Sequence, residues 1–207
     1  MRLYGYWTSN PQKIRLALEE IGEPYAYEYL DLSQRANKTP EFKALNPRQK
    51  VPLLVDDEVV IWESGAALVY LSQKAPHLWP SDEASRAQAL SLLFFEASTF
   101  NDIARIYFFN RLVLPRLDKV GDEERVAQAA KKMKPLLTLL DQRLQSTQAY
   151  LLGDFSLADC AYAPFLPILD LEAFPHLIAW RDRLMARPAW GRADFTYGVI
   201  RNKSLTF

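Results

Sequence analysis

Cysteine and histidine are scarce in this chain of 207 residues, which contains one cysteine and two histidines. Because Cys160 stands alone, the sequence excludes a disulfide within the chain and any Cys-x-x-Cys redox centre. His77 and His176 lie far apart in the sequence, and neither belongs to a spacing typical of metal ligands. We therefore expect no bound metal ion, and we expect Cys160 to be a buried structural thiol.

Excess charge and long hydrophobic segments are absent as well. Lys plus Arg and Asp plus Glu both number 25, which argues against a nucleic-acid-binding protein because such proteins depend on a basic surface. The longest apolar stretch, CAYAPFLPIL, is too short to span a bilayer and contains two prolines. The N-terminus lacks the basic region and apolar core of a signal peptide. These features predict a globular protein of the reducing cytoplasm.

The first 75 residues alternate between strand and helix patterns. Apolar residues from Ile14 to Ile21 recur at the spacing of one helical face, and Gly22 ends this helix. The predicted strands cover residues 2–6, 24–30, 51–55 and 58–62, and the predicted helices begin at Pro11 and cover 39–47 and 63–73. This order predicts a sheet with helices packed against it.

After a linker at 75–84 the strand patterns stop and helical patterns take over. Ser81 is the predicted N-cap of the next helix, and residues 122–145 repeat apolar positions at steps of three and four. In the stretch FSLADC, Ser156 and Asp159 have the spacing of a capping box. The second part of the chain is therefore predicted to be all helical.

The stretch YWTSNPQKIR, at residues 6–15, places three small polar residues before the first helix. Asn10 is a favoured N-cap and Pro11 suits the first helical position, so Thr8 and Ser9 could simply fill a turn. A hydroxyl at a helix N-terminus can also donate a hydrogen bond to a bound thiolate. Such donors lower a thiol pKa from about 8.5 towards neutrality. The sequence alone leaves both interpretations open.

Two further stretches combine unusual residues with the start of a regular element. In NPRQKVP, a cis bond between Val51 and Pro52 would expose the Val51 backbone to an extended peptide, and an ordinary edge-strand proline is the alternative. In WESG, Ser64 is the predicted cap of a helix whose free N–H groups suit a carboxylate, while Glu63 suits an ammonium group. A plain cap with an acidic neighbour is the alternative there.

Taken together, these motifs resemble those of the glutathione transferase superfamily, in its bacterial serine/threonine type. The resemblance covers essentially the whole chain, and its segments are LYGYWTSNPQKIRLALEEIGEPYAYEYLDL, TPEFKALNPRQKVPLLVDDEVVIWESGAALVYL, FSLADCAYAPFLPIL and FPHLIAWRDRLMARPAW. It implies an α/β thioredoxin-like N-terminal domain at 1–75 and an all-α C-terminal helical domain at 84–207. It also implies a glutathione site in the cleft between the domains, and a homodimer.

The resemblance assigns glutathione-binding roles to individual positions. Glu63 and Ser64 match the pair that holds the γ-glutamyl end, and Val51, before the family's cis-proline Pro52, matches the residue whose backbone pairs with the cysteinyl unit. The positions that match those reaching the glycine carboxylate are Gln49, Lys50 and Asn37, with Lys38 as a rival to Asn37.

The resemblance leaves the activating hydroxyl open between two neighbours. One family pattern places Thr8 in that role with Asn10 as a second donor, and another pattern places Ser9 there. We favour Ser9, because its hydroxyl is less restricted than that of the β-branched Thr8.

The helix at 94–111 corresponds to the one that lines the electrophile site in the family. Tyr107, Phe108 and Arg111 are its candidates for that site, and Arg105 or Arg111 are candidates for the carboxylates of glutathione. The tail 194–207 departs from a helical pattern and is expected to fold back over the cleft.

The function implied is that of a glutathione transferase, which activates the glutathione thiol for conjugation to a small hydrophobic electrophile without a metal. Two alternatives remain at this point. The pair Thr8 and Asn10 also resembles members that reduce disulfides with glutathione. The second alternative is a non-catalytic interaction module of the same fold, which would contain the same motifs.

Overall fold

The structure, a computed structural model, describes residues 1–194 of the chain. Its N-terminal part contains every strand and helix that the sequence patterns predict. The strands are β1 (Arg2–Gly5), β2 (Ala26–Tyr29), β3 (Leu53–Asp56) and β4 (Val59–Trp62), and the helices are α1 (Ser9–Ile21), α2 (Pro40–Leu45) and α3 (Ser64–Lys74). The strands are shorter than their patterns, because the β1–β2 ladder contains only the pairs from Arg2 with Ala26 to Gly5 with Tyr29.

The strands form a mixed sheet in the order β2-β1-β3-β4. β1 and β2 are parallel, and α1 supplies the crossover that a parallel pair requires. β3 runs antiparallel to both β1 and β4. The hairpin turns at Asp57 and Glu58, one residue later than the predicted turn at Asp56 and Asp57, because Asp56 still pairs with Val59. Because β4 lies at the edge of the sheet, the start of α3 is placed at the rim of this part of the molecule.

The second part of the described chain is built from helices. They are α4 (Glu83–Phe95), α5 (Asn101–Phe108), α6 (Leu114–Arg116), α7 (Glu123–Thr147), α8 (Leu157–Tyr162), α9 (Pro175–Met185) and α10 (Pro188–Arg192). Two π-helical turns, Glu96–Phe100 and Phe109–Val113, join α4 to α5 and α5 to α6. A mixed sheet with helices followed by a helical part confirms the predicted fold class.

The predicted cap at Ser81 is wrong by one residue. Asp82 is the N-cap of α4, and its carboxylate accepts a hydrogen bond from the Ser85 N–H at 2.8 Å. Serine and aspartate are equally good caps, so the sequence alone does not discriminate between adjacent candidates.

The predicted capping box at the start of α8 is confirmed. The buried Asp159 carboxylate accepts hydrogen bonds from the Ser156 N–H at 2.9 Å, the Leu151 N–H at 3.1 Å and the Trp180 indole at 3.0 Å. Burial nevertheless raises the pKa of Asp159 to about 6, since complete loss of solvent outweighs these donors. The same helix buries Cys160, and burial raises the pKa of this thiol.

One continuous hydrophobic core runs through both parts of the molecule. Ile14 and Leu18 of α1 and Leu68 of α3 belong to the same cluster as Phe100 and Tyr162 from the helical part. Helix α1 packs against α3, α8 and α10, so it is the element that joins the two parts.

Ion pairs reinforce the contact between the two parts at its surface. Glu20 accepts from the Arg187 guanidinium at 2.5 and 2.8 Å, and Glu19 accepts from Arg192 at 3.0 Å. With the shared core, these contacts fix how the cleft between the parts is shaped.

Candidate functional site

The loop from Asn46 to Pro52 is held in place by side-chain amides. The buried Asn46 donates to the Lys50 carbonyl at 2.8 Å and accepts from the Arg48 N–H at 3.1 Å. Asn37 donates to the Gln49 carbonyl at 2.6 Å. The amide of Asn37 is therefore engaged with the loop itself, and Asn46 is a supporting residue that the sequence analysis missed.

The bond between Val51 and Pro52 is cis, as one of the two sequence interpretations predicts. The ladder with β1 begins only at Leu53. Within residues 1–194, neither the N–H nor the C=O of Val51 has a hydrogen-bond partner. The Val51 backbone is therefore able to pair with an extended peptide.

The start of α3 differs from the prediction. Glu63, rather than Ser64, occupies the N-cap position, and its backbone has a φ of 77°. A positive φ is costly for a non-glycine residue, and such strain is concentrated at functional sites. This conformation sets Ser64 as the first helical residue, so that the free N–H groups of the first turn border the cleft. The Glu63 carboxylate pairs with Arg48 at 2.6 Å on the exposed rim.

The N-terminus of α1 also differs from the prediction, because Asn10 does not cap the helix. The helix begins at Ser9 with Thr8 as its N-cap, and Pro11 lies within the first turn, where its missing N–H costs nothing. The Asn10 side chain points instead to the helical part, where its Oδ1 accepts from Asn101 at 2.9 Å. Ser9 is buried and Thr8 is half-buried.

Behind this turn lies a buried ionic network that the sequence analysis did not find. The Lys13 ammonium on α1 and the Glu96 carboxylate are 2.7 Å apart, and their side chains are 0% and 2% exposed. Asn101 donates to both Glu96, at 3.0 Å, and Asn10. Because solvent is excluded from both charges, burial lowers the pKa of Lys13 and raises the pKa of Glu96. The network thus connects the π-helical turn after α4 to Asn10 in the first turn of α1.

Two neighbouring cavities open in the cleft. The first cavity, of about 550 Å³, lies between the loop 46–52 and the start of α3 on one side and α4 and α5 on the other. The second cavity, of about 430 Å³, lies between the turn 8–10 and the segment from Arg105 to Val113. Asn10, Val51 and Arg105 line both cavities and form their shared wall. Both volumes are in the range of small-molecule sites.

The structure brings most of the predicted site residues to this cleft. The first cavity is lined by Lys50, Val51, Pro52, Glu63 and Ser64, and the second by Thr8, Ser9, Asn10 and Phe108. Asn37 and Gln49 stand behind the loop and border neither cavity.

Tyr107 and Arg111 are not brought to either cavity. Tyr107 is 2% exposed in the core. The Arg111 guanidinium donates to both carboxylate oxygens of Asp170, at 2.8 and 3.0 Å, and lies over the Tyr107 ring at 4.8 Å. Both residues therefore have structural roles away from the cleft. A helix presents only part of its circumference to one side, and these two residues lie on another part. The predicted fold of the tail over the cleft falls at 195–207, outside the described residues.

Residues 1–194 contain no cluster of three or more histidine, cysteine, aspartate or glutamate side chains arranged to hold a metal ion. Over the same range, no helix combines the length and hydrophobicity that crossing a membrane requires.

The comparisons with known proteins agree with this geometry. Residues 1–73 match the N-terminal domain of glutathione S-transferases, and residues 83–188 match their C-terminal domain. Glutathione S-transferase 1 of Zea mays is 32% identical over 91% of this chain and 93% of its own length. The transcriptional regulator URE2 of Saccharomyces cerevisiae is 29% identical over 87% of this chain and 63% of its own length. A glutathione transferase family member from Pseudomonas fluorescens, solved with two glutathione molecules bound, has a TM-score of 0.80 at 26% identity, over 93% of this chain and 91% of its own.

Proposed function

Since the chain belongs to the glutathione S-transferase family, we propose that it is an enzyme that binds glutathione in the first cavity and activates its thiol for attack on a hydrophobic electrophile. The observation that carries this proposal is the shared wall of the two cavities. A peptide paired with Val51 would have its side chain beside residues 8–10, where Thr8 and Ser9 border the second cavity. The thiol and its acceptor would thus meet at one point.

The first cavity offers a partner for each polar group of glutathione. The Glu63 carboxylate suits the α-ammonium group of the γ-glutamyl unit, and the free N–H groups at Ser64 suit its carboxylate. The unpaired Val51 backbone suits the cysteinyl unit. Lys50 suits the glycine carboxylate, while Asn37 and Gln49 act through the shape of the loop.

Thiol activation is assigned to the N-terminus of α1, at residues 8–10. Hydroxyl donors at a helix N-terminus stabilise a thiolate, because the partial positive charge of the helix adds to the hydrogen bond. Ser9 is our first choice for this donor and Thr8 the second, with Asn10 as an auxiliary donor from the shared wall.

The test is a pH titration of bound glutathione, followed by the ultraviolet absorbance of the thiolate. A hydrogen bond to a charged group contributes about 1.5–3 kcal/mol. Removing it by Ser9→Ala should raise the pKa of the bound thiol by about 1–2. Thr8→Val is the matched comparison, and the variant with the larger change identifies the donor. If neither variant changes this pKa, the hydroxyl mechanism is wrong.

A second candidate function is reduction of disulfides by glutathione. It is supported by the two glutathione molecules in the Pseudomonas fluorescens relative and by the presence here of two cavities that share a wall. Comparing the conjugation of chloro-dinitrobenzene with the reduction of a glutathione mixed disulfide separates the two activities. The similarity to URE2 motivates a test for a non-catalytic role. That role would be favoured if the wild type shows neither activity but still binds glutathione, and if Glu63→Ala loses this binding.

We also propose that the protein is a cytoplasmic homodimer. Bulky apolar side chains are exposed on β4 and α4, with Trp62 46% and Phe94 71% accessible. Patches of this kind mark interaction surfaces, and a second copy of the chain is the partner that the family resemblance implies. The cytoplasm fits a chain whose single cysteine is buried and reduced.

A further inference from the structure

The second cavity contains positive charge with no acidic residue to balance it. Arg105 and Arg125 are its charged lining residues, and no aspartate or glutamate borders it within residues 1–194. The remaining lining is mostly apolar and includes Ile106, Phe108 and Val113. The cavity therefore combines an apolar body with cationic groups at its margin.

Neither guanidinium has a partner among the described residues. Within residues 1–194, no ion pair, hydrogen bond or aromatic ring engages the side chain of Arg105 or Arg125. Arg111, which follows Arg105 by six residues, has a bidentate carboxylate partner in Asp170. Asp122 caps the helix that carries Arg125, but its carboxylate accepts from the backbone and does not border the cavity. The two unpaired arginines thus remain available to a ligand.

We propose that the second substrate carries a carboxylate on an apolar body, and that Arg105 and Arg125 bind this carboxylate. The proposal rests on the proposed function, because it places the acceptor beside the activated thiol. Arginine suits this role, since its planar fork matches the two oxygens of a carboxylate. The apolar lining would hold the body of the acceptor, and the carboxylate would fix which of its atoms faces the shared wall.

The probes are two matched aryl chlorides, 4-chloro-3,5-dinitrobenzoate and the corresponding neutral benzamide. In both, the thiolate sulfur forms a bond to the ring carbon, chloride leaves from that carbon, and the thiol proton goes to solvent. Their kcat/KM values are each divided by the uncatalysed rate constant, so that differences in intrinsic reactivity cancel. The unreactive 3,5-dinitrobenzoate and 3,5-dinitrobenzamide provide a second readout, which is equilibrium binding by calorimetry.

The decisive variant is Arg125→Gln, because Arg125 borders the second cavity alone whereas Arg105 borders both. The wild-type protein should prefer the carboxylate in both readouts. Arg125→Gln should reduce that preference about ten- to a hundredfold, the usual effect of losing a charged hydrogen bond. The KM for glutathione should not change, and the kcat/KM for the benzamide should fall much less than that for the benzoate. Lys131→Gln is the matched control, since Lys131 is exposed on the same helix and borders neither cavity.

The outcomes separate this inference from the proposed function. Equal use of both chlorides by the wild type, or an undiminished preference in Arg125→Gln, would overturn the inference and leave the transferase activity standing. If neither chloride reacts, the transferase proposal fails, and the calorimetric preference for the carboxylate still decides whether the second cavity is an anion site. No preference in that measurement would overturn the inference as well.

Discussion

Replacing Lys13 by methionine should destabilise the protein more than any single change at an exposed ion pair. Lys13 and Glu96 are 2.7 Å apart and almost completely buried, so the substitution leaves the Glu96 carboxylate without its cation and without water. Removing one partner of a buried pair typically costs about 3–5 kcal/mol. For a chain of this size, that loss corresponds to a decrease in Tm of about 6–20 °C.

The structure supplies a control with the same distance and a different environment. Lys74 and Asp56 are also 2.7 Å apart, but their side chains are 31% and 13% exposed. Their hydrogen bond raises the pKa of Lys74 and lowers the pKa of Asp56, so both charges are favoured there. Lys74→Met should therefore cost much less than Lys13→Met, because exposed ion pairs contribute little to stability.

The assay is urea unfolding followed by circular dichroism at a fixed chain concentration. In Lys13→Met, the unpaired Glu96 has a folded-state pKa above its unfolded value, so its contribution to stability is present at low pH and lost as the pH rises through the folded value. The deficit relative to the wild type should therefore shrink from pH 8 to pH 5. Adding Glu96→Gln should recover most of the loss, because the buried charge is gone and Asn101 keeps an acceptor. Equal losses in Lys13→Met and Lys74→Met would refute the reasoning.

Two further predictions concern the capping box and the exposed apolar face. Burial raises the pKa of Asp159 from the ordinary value of 3.8 to about 6, so the folded protein favours the neutral carboxyl group. The free energy of unfolding should therefore decrease by about 3 kcal/mol as the pH rises through this range. Urea unfolding over this range should show that loss in the wild type and not in Asp159→Asn, and identical pH profiles would contradict it. Phe94→Asp should convert the proposed dimer to a monomer in light scattering, and a variant that stays dimeric would exclude this face.

The elements that the sequence predicted correctly depend on contacts between neighbours in the chain. Gly22 ends α1 in the left-handed conformation, and Ser156 and Asp159 form their box within a single turn. The cis bond before Pro52 is also a local feature of the backbone. For such features, the residues that determine the structure lie within a few positions of each other, so a pattern is enough to find them.

The errors arise where a distant partner competes with the local choice. Asn10 is a good cap by type, but its amide oxygen accepts from Asn101 on another helix, and the helix begins two residues earlier than predicted. The helical pattern makes Arg111 a candidate for the cleft, but the fold pairs its guanidinium with Asp170, which lies far along the chain. Lys13 and Glu96 are 83 positions apart, and nothing in the residues around either one pairs it with the other. Only the fold shows that the two charges meet.

The continuous core has a consequence for cooperativity. The two parts resemble separable modules in sequence, because a linker divides them and each matches its own family domain. In three dimensions, however, the buried face of α1, with Ile14 and Leu18, is completed by the helical part. An isolated N-terminal part would expose this apolar face together with the Lys13 ammonium. The described chain is thus one thermodynamic unit, in which loosening either part loosens the wall where the two cavities meet.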